Sequence, residues 1–243
     1  MSYLGLVKPI INSYLSGLHY PKILEIGVDS GQTALPLVQN LTNRFDQFLY
    51  IGVDILVQPL VVETFSQFDS VSLYPFDEQS GRDVFLFEGN SLEWLPQNQN
   101  KGPIFDMVLL DGDHNYFTVI QELEYLQPLL KPTSIIVCDD FNGRWANKDL
   151  FYSEKPEYAP VELATPRQNT EKVGVQPAVR DFLRDHAEWV GFHYPELDPI
   201  LLYRSDVWEK LTTEGTPGKF IPTRDMLINF NLLKEDAHET ELG

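Results

Sequence analysis

Residues 105–141 read FDMVLLDGDHNYFTVIQELEYLQPLLKPTSIIVCDDF, and this stretch decides the fold. An apolar run, Met107–Leu110, breaks off in Asp111, Asp113 and His114. A helical pattern over 116–126 follows, with Val119, Leu123 and Leu126 on one face and Pro128 and Lys131-Pro132 as its stop. A second apolar run, Ile135–Cys138, ends in Asp139 and Asp140. Short apolar runs bounded by turn residues read as strands buried on both faces. Two such strands joined by a helix make a right-handed βαβ unit, so both end at the same sheet edge. Ligands of open α/β sheets bind at that edge. Asp111, Asp113, His114, Asp139 and Asp140 are thereby expected in one crevice, where their carboxylates repel one another unless a cation or protons intervene.

The preceding residues repeat the pattern. Ile23–Ile26 reads as a strand, Gly27–Gly31 as a loop, and a helix is expected from about Gln32, with Pro36 tolerable in its first turn. A strand-to-helix turn with glycines lets backbone approach a ligand, and the helix N-terminus offers free N–H groups. The dinucleotide fingerprint G-x-G-x-x-G is incomplete, because Asp29 and Gln32 replace its second and third glycines. Asp29 would repel a pyrophosphate, so a ligand carrying an ammonium or sulfonium group is the better match. FLYIGVDI gives a second strand ending at Asp54, where an acid commonly takes ribose hydroxyls; a solvated strand-end acid is the alternative. A helix is read over Val57–Phe68, a third strand over Val84–Phe87 and a short helix that begins with Leu92–Leu95. Asn90 and Ser91, between the last two, either read an adenine edge or cap the helix.

Residues 142–173 lack a period and contain Trp145, Phe151, Tyr152 and Tyr158. A loop this long, placed directly after Asp139 and Asp140, reads as an active-site lid. A helix over Val175–His186 precedes two strands, WVGFHY and DPILLYR, whose short link requires an antiparallel pair. The N-terminal 1–19 has helical spacing and reads as a covering helix. The tail 206–243 reads as an extension with a helix near Met226–Leu233 and an unstructured end. The domain reading is one domain over 1–205 followed by that extension.

Composition narrows the function. The chain has 18 basic and 36 acidic residues among 243, a formal charge of −18, which disfavours nucleic acid and anionic membranes. No stretch reads as a signal peptide or a membrane span, so a cytoplasmic protein is expected. The single cysteine, Cys138, excludes an internal disulfide framework and reads as an apolar filler of a buried strand. His193 reads as structural. Oligomeric state, including a homo-oligomer, stays open.

LEIGVDSG, then Asp54, then DGDH and CDDF on consecutive strands resemble the class I S-adenosylmethionine-dependent methyltransferases. The resemblance spans about residues 20–205. Within the class it is nearest the metal-dependent O-methyltransferases of the catechol type and the macrocin O-methyltransferase-like and cephalosporin hydroxylase-like groups. It implies an α/β, Rossmann-like, doubly wound, mostly parallel sheet with an antiparallel last strand. Glu25, Gly27 and Gly31 would shape the S-adenosylmethionine site, Asp54 would take the ribose, Asn90 and Ser91 would lie near the adenine, and Asp111 would border the cofactor. Asp111, Asp139 and Asp140 match the ligands of a divalent metal, with Mg²⁺ expected, and His114 or Asp113 the general base. The acceptor implied is a hydroxyl, in particular a diol, of a small molecule such as a sugar or natural product. Two departures stand out: Thr133-Ser134 replace a usual pair of glycines, and Asp140 replaces a common Asn. Two other readings compete. Asp111-Gly112-Asp113 is also the D-x-D of a metal-dependent nucleotide-sugar glycosyltransferase, against which the Gly27 loop and Asp54 argue. A non-catalytic adenosylmethionine-binding module would not need both base candidates and three ligand carboxylates.

Overall fold

The computed structural model describes residues 15–66, 70–72, 81–156, 162–193, 197–205 and 240–242. The strands are β1 (Lys22–Ile26), β2 (Phe48–Asp54), β3 (Ser70–Ser72), β4 (Arg82–Glu88), β5 (Phe105–Leu110), β6 (Leu130–Cys138), β7 (Trp189–His193), β8 (Ile200–Arg204) and β9 (Thr240–Leu242). The helices are α1 (Ala34–Arg44), α2 (Pro59–Phe65), α3 (Ser91–Asn98), α4 (Tyr116–Leu126) and α5 (Val175–Asp185). Among the described residues these strands form one sheet in the order β3-β4-β2-β1-β5-β6-β8-β7-β9. Pairing is parallel from β3 to β6 and antiparallel from β6 onward. This is the Rossmann-like, doubly wound sheet that the resemblance implied. The chain reverses direction across the sheet between β1 and β5, the place where such folds hold ligands.

The inner strands are apolar throughout because both faces are covered. All six residues of β5 are buried. On one face Ile23, Tyr50, Met107, Leu109, Ile135 and Val137 pack with α1 and α2. On the other, Leu24, Ile51, Val108, Leu110 and Ile136 pack with α3, α4 and α5. The bounds of α4 are those read from sequence: Asn115 caps it by accepting from Thr118 N at 2.8 Å, and the Pro128 turn stops it.

Several readings shift. α1 starts at Ala34 rather than Gln32, with Pro36 in its first turn. α3, read as beginning at Leu92, starts at Ser91 and runs to Asn98 with Pro96 inside it; a proline removes one ladder bond there without ending so short a helix. β6 begins at Leu130, not Ile135, because a bulge carries residues 131–134 around the single step from Phe105 to Met107. Ser134 holds that bulge, its hydroxyl accepting from Lys131 N at 2.7 Å and donating to Phe105 O at 2.6 Å. A side chain thus supplies the hydrogen bonds at the place where the resemblance led one to expect glycines. At the other end, Thr240–Leu242 pair with β7, whereas the sequence read an unstructured end. The rest of the tail reading, residues 1–14 of the covering helix, the Tyr194–Glu196 part of the last hairpin link, residues 73–80 and Tyr158 lie outside the described residues. Leu15–Gly17 form a single 3-10 turn. No helix among the described residues is long and apolar enough to cross a membrane. Cys138 and His193 are buried as read, His193 facing Leu197 O at 3.1 Å.

Gly27 is the tightest point of the sheet edge. Its φ is +91°, and a Cβ there would lie 2.0 Å from the carbonyl oxygen of Asp111. Gly27→Ala is therefore expected to lower unfolding stability by at least ~2 kcal/mol, through strain and backbone collision together. Gly81→Ala, whose Cβ would meet its nearest atom at 3.8 Å, serves as the control and should stay within ~0.5 kcal/mol. Equal urea midpoints for the two variants would show that the β1 and β5 loops do not meet in this way.

Candidate active site

The parallel ladder continues one rung past the strands, and these extra rungs build the site. Gly27 N donates to Val53 O at 2.9 Å, Asp111 N to Ile26 O at 2.8 Å, Asp139 N to Leu110 O at 2.9 Å and Gly89 N to Asp54 O at 2.7 Å. The loops after β1, β4, β5 and β6 are thereby fixed at one edge. The loops after β1, β2, β4 and β5, with Tyr152, Ala164 and Thr165, line a cavity of about 260 Å³. Of the residues read from sequence, Gly27, Asp54, Asn90, Ser91, Asp111 and Asp113 line it. Asp29 does too, and the described lining contains four carboxylates and no Lys, Arg or His.

Asp54 does more than wait at a strand end. Its Oδ2 accepts from Val28 N at 2.7 Å and Asp29 N at 2.8 Å, and its Oδ1 accepts from Leu56 N at 2.8 Å. It staples the Gly27 loop to β2, and it keeps spare lone-pair capacity toward the cavity. Asn90 caps α3 through Oδ1, accepting from Leu92 N at 2.8 Å, while its Nδ2 donates to Leu163 O at 3.0 Å and Thr165 Oγ1 at 3.2 Å. Gly31 and Glu25 lie outside the cavity lining. Gly31 turns the chain against Leu35 and Val61. Glu25 is fully buried, accepts from Tyr50 OH at 2.7 Å, and leaves Oε1 without a partner. Burial pushes its carboxyl up to about 8.

Beside the cavity lies the acidic cluster. His114 Nε2 is 3.9 Å from Asp111 Oδ1, and its Nδ1 is 3.6 Å from Asp140 Oδ2. Burial lowers the His114 pKa, against the pull of Asp140, so the ring tends toward the neutral form. Asp111 and Asp139 hydrogen-bond to each other; burial and then mutual repulsion hold Asp111 well above the usual carboxylate range, and burial followed by Asp140 lifts Asp139 to about 6. Asp113 turns aside: it accepts from Thr118 Oγ1 at 3.1 Å and Tyr152 N at 3.5 Å, and burial raises it to about 6. Asp140 sits in the left-handed region, φ +54°, and the missing side chain of Gly143 makes room for it, since a Cβ there would lie 2.0 Å from Asp140 Oδ1. The three aspartates offer the hard oxygen donors a divalent cation takes, and their repulsion is what such a cation relieves. Their arrangement is another matter. Among the described residues no group of three or more His, Cys, Asp or Glu side chains is placed to hold a metal ion, and the Asp111–Asp139 hydrogen bond would have to open to admit one.

The segment read as a lid is fastened at both sides of the cavity. Leu150 N donates to His114 O at 3.0 Å, Asn115 Nδ2 to Leu150 O at 3.3 Å, and Asp149 Oδ1 accepts from both Tyr116 N (2.9 Å) and Gly174 N (2.7 Å). Across the cavity, Asn90 holds Leu163 and Thr165. Arg167 forms a bidentate pair with Glu154 at 2.5 and 2.7 Å and lies over Phe151. Of the aromatics in this strap, Tyr152 lines the cavity, Phe151 is buried and Trp145 carries Arg144 and Lys148 on its ring. Sequence reasoning missed Gln58, Thr165 and the buried Glu122. Only Glu122 had a signal: an acid one position before Leu123 and three after Val119, on the face that α4 turns inward.

Residues 24–141 match the model of a family described as a methyltransferase domain. That stretch is just under half of the chain. It contains the loops after β1, β2, β4, β5 and β6, and it stops before the strap. No curated protein matches the chain. Solved structures that resemble it include MycE, a methyltransferase of mycinamycin biosynthesis in complex with Mg, SAH and mycinamycin VI, at 18% identity and a TM-score of 0.44, over 76% of this chain and 45% of that one. CalS11, a TDP-rhamnose 3′-O-methyltransferase of calicheamicin biosynthesis, aligns at 15% identity and a TM-score of 0.49, over 84% and 79%. The SAH-bound Podospora anserina methyltransferase PaMTH1 aligns at 18% identity and a TM-score of 0.47, over 84% and 77%. The chain spans less than half the length of MycE, and these likenesses are too distant for any ligand to be transferred from them.

The buried Glu25 gives the domain a measurable pH dependence. Folded, it keeps its proton to about 8; unfolded, it releases it near 4.5. Between those values the unfolded chain binds fewer protons, so stability falls as pH rises and levels off above about 8. Glu25→Gln is expected to flatten the decline of Tm between pH 5 and 8 measured by calorimetry. A slope identical to wild type would mean that Glu25 is ionised in the folded protein.

Proposed function

We propose that the chain is an S-adenosylmethionine-dependent O-methyltransferase that acts on a hydroxyl of a small molecule, a sugar or natural-product diol in particular. The observation that carries this is the cavity: it lies at the carboxyl edge of a sheet whose residues 24–141 match a methyltransferase-domain model, and Asp29, Asp54, Asp111 and Asp113 line it with no Lys, Arg or His among the described lining. Such a wall repels phosphate and favours a ligand bearing ammonium and sulfonium charge. The same wall argues against the nucleotide-sugar reading of Asp111-Gly112-Asp113.

S-adenosylmethionine supplies an electrophilic methyl group, and displacement at it needs an oxygen nucleophile held in line. Asp54, already holding the Gly27 loop, would meet the ribose hydroxyls with its remaining lone pairs. Asp111 stands between the cavity and the cluster, so it would mark the point where donor and acceptor meet. His114 is the better base: its ring tends toward the neutral form, and a proton taken at either nitrogen would face Asp111 or Asp140. Asp113 is engaged by Thr118 and Tyr152 and is the weaker candidate. A divalent cation, Mg²⁺ in this reading, rests on the resemblance: Asp111, Asp139 and Asp140 carry the oxygen donors for one, but as arranged they are not placed to hold it, and the proton transfer is assigned to His114 without it.

Titration calorimetry is expected to show micromolar binding of S-adenosylmethionine and S-adenosylhomocysteine with a chelator present. Asp54→Ala should weaken both about tenfold or more, through loss of the ribose contact and of the loop staple. Turnover of a catechol or sugar diol should disappear in Asp111→Ala and fall at least ~100-fold in His114→Ala, and a requirement for Mg²⁺ would show that the acidic cluster rearranges to take a divalent cation. Binding of a nucleotide sugar in place of either adenosyl ligand would overturn the reading.

A further inference from the structure

Under the cavity wall, Ser91 Oγ lies 2.5 Å from Glu122 Oε1. Ser91 opens α3 and lines the cavity; Glu122 belongs to α4 and is 1% exposed. Among the described residues no Lys, Arg or His side chain is paired with Glu122. One turn earlier on the same helix, Thr118 donates to Asp113, so α4 presents a polar rail, Thr118 and Glu122, beneath the cavity floor. Neither residue of the Ser91–Glu122 pair is spent on a helix cap, since Asn90 does that work.

Asn90 itself has nothing left to give. Its carbonyl is taken by Leu92 N, and its two amide hydrogens go to Leu163 O and Thr165 Oγ1. A donor for a ligand on this side of the cavity therefore falls to Ser91. A hydroxyl has one hydrogen. If Glu122 were ionised it could only accept, and Ser91 would have to donate inward and show the cavity lone pairs alone. If Glu122 holds a proton it donates to Ser91 Oγ, and the Ser91 hydrogen is released to the ligand. Burial without a cation favours the protonated acid.

We propose that Glu122 is a positioning residue that holds Ser91 as a hydrogen-bond donor to an acceptor nitrogen of a heteroaromatic ring in the bound ligand. This rests on the S-adenosylmethionine reading, in which adenine is that ring. The groups facing Glu122 are Ser91 from α3, Asp113 from the loop after β5 and Cys138 from β6. From α5, Asp181 and His186 engage Tyr116 and Glu124 at other turns of α4. Burial lifts the Glu122 carboxyl to about 8, so the Ser91 donation is present at neutral pH and is lost as pH rises through that value.

The test is calorimetric binding of S-adenosylhomocysteine to the full chain at pH 7 and pH 9, with wild type, Ser91→Ala and Glu122→Gln. Wild type should weaken by about fivefold between the two pH values, the worth of one hydrogen bond. Ser91→Ala should already be about fivefold weaker at pH 7. Glu122→Gln, whose amide donates at every pH, should bind as wild type at pH 7 and lose the weakening at pH 9. Glu25 titrates over the same range and remains in every protein, so the difference between wild type and Glu122→Gln isolates Glu122. Wild-type affinity in Ser91→Ala, or the same pH dependence in wild type and Glu122→Gln, would overturn the proposal and leave the cofactor reading standing. No binding to wild type at either pH would remove both.

Discussion

The site depends on the parallel hydrogen-bond ladder running one residue too far. In most sheets the ladder stops with the strand and the following loops go their own way. Here the N–H groups of Asp111 and Asp139 reach back to the last carbonyls of β1 and β5, and that of Gly27 to the carbonyl of Val53, next to the end of β2. Three loops that begin on β1, β5 and β6 are thereby held in a staircase, and the spacing between their side chains is the spacing between strands. Gly27 can occupy its step only because it lacks a side chain that the Asp111 carbonyl would meet. The positions of the acids are a property of the sheet, and the loops merely carry them.

That arrangement sets an electrostatic problem which, among the described residues, is met by protons and backbone N–H groups rather than by Lys or Arg side chains. Asp54 is satisfied by three N–H donors. Asp111 and Asp139 share a hydrogen bond. Glu25 and Glu122 are buried against hydroxyl groups. No Lys or Arg side chain is among the described lining of the cavity: Lys131, for example, binds Asp106 at the opposite edge of the sheet, and Lys172 and Arg184 bind Asp181 on α5. A positively charged ligand entering the cavity would complete a field that the protein has left open on one side, and binding energy would be gained where folding energy was given up.

The sequence shows the sheet edge clearly because strand ends there coincide with abrupt changes from apolar to acidic residues. Asp54, Asp111, Asp113, Asp139 and Asp140 could be placed from that change alone, and α4 from its cap and its stop. What lay hidden depended on contacts between distant segments. The bulge of β6 depends on the Ser134 hydroxyl finding Phe105 O, and nothing in KPTS announces this. The pairing of Thr240–Leu242 with β7 joins residues about fifty positions apart. The second tasks of Asp54 and Asn90, as staple and clasp, arise from backbone groups that carry no sequence signature. Glu122 was legible in principle as an acid on an apolar helix face, a local inconsistency of the kind that marks functional positions.

The double bond made by Asp149 has a consequence for how such a protein can change. A single carboxylate oxygen holds both Tyr116 at the start of α4 and Gly174 at the start of α5, so the strap between Asp149 and Gly174 leaves and returns at one rivet. Its two feet are fixed whatever lies between them. Loop-closure entropy rises only with the logarithm of length, roughly 0.6 kcal/mol per doubling, so residues can be added to or removed from the middle of the strap at little cost to folding. The middle of the strap can therefore change in length while the staircase of Gly27, Asp111 and Asp139 stays as it is. One aspartate separates the part of the molecule that the sheet fixes from the part that is free to vary in length.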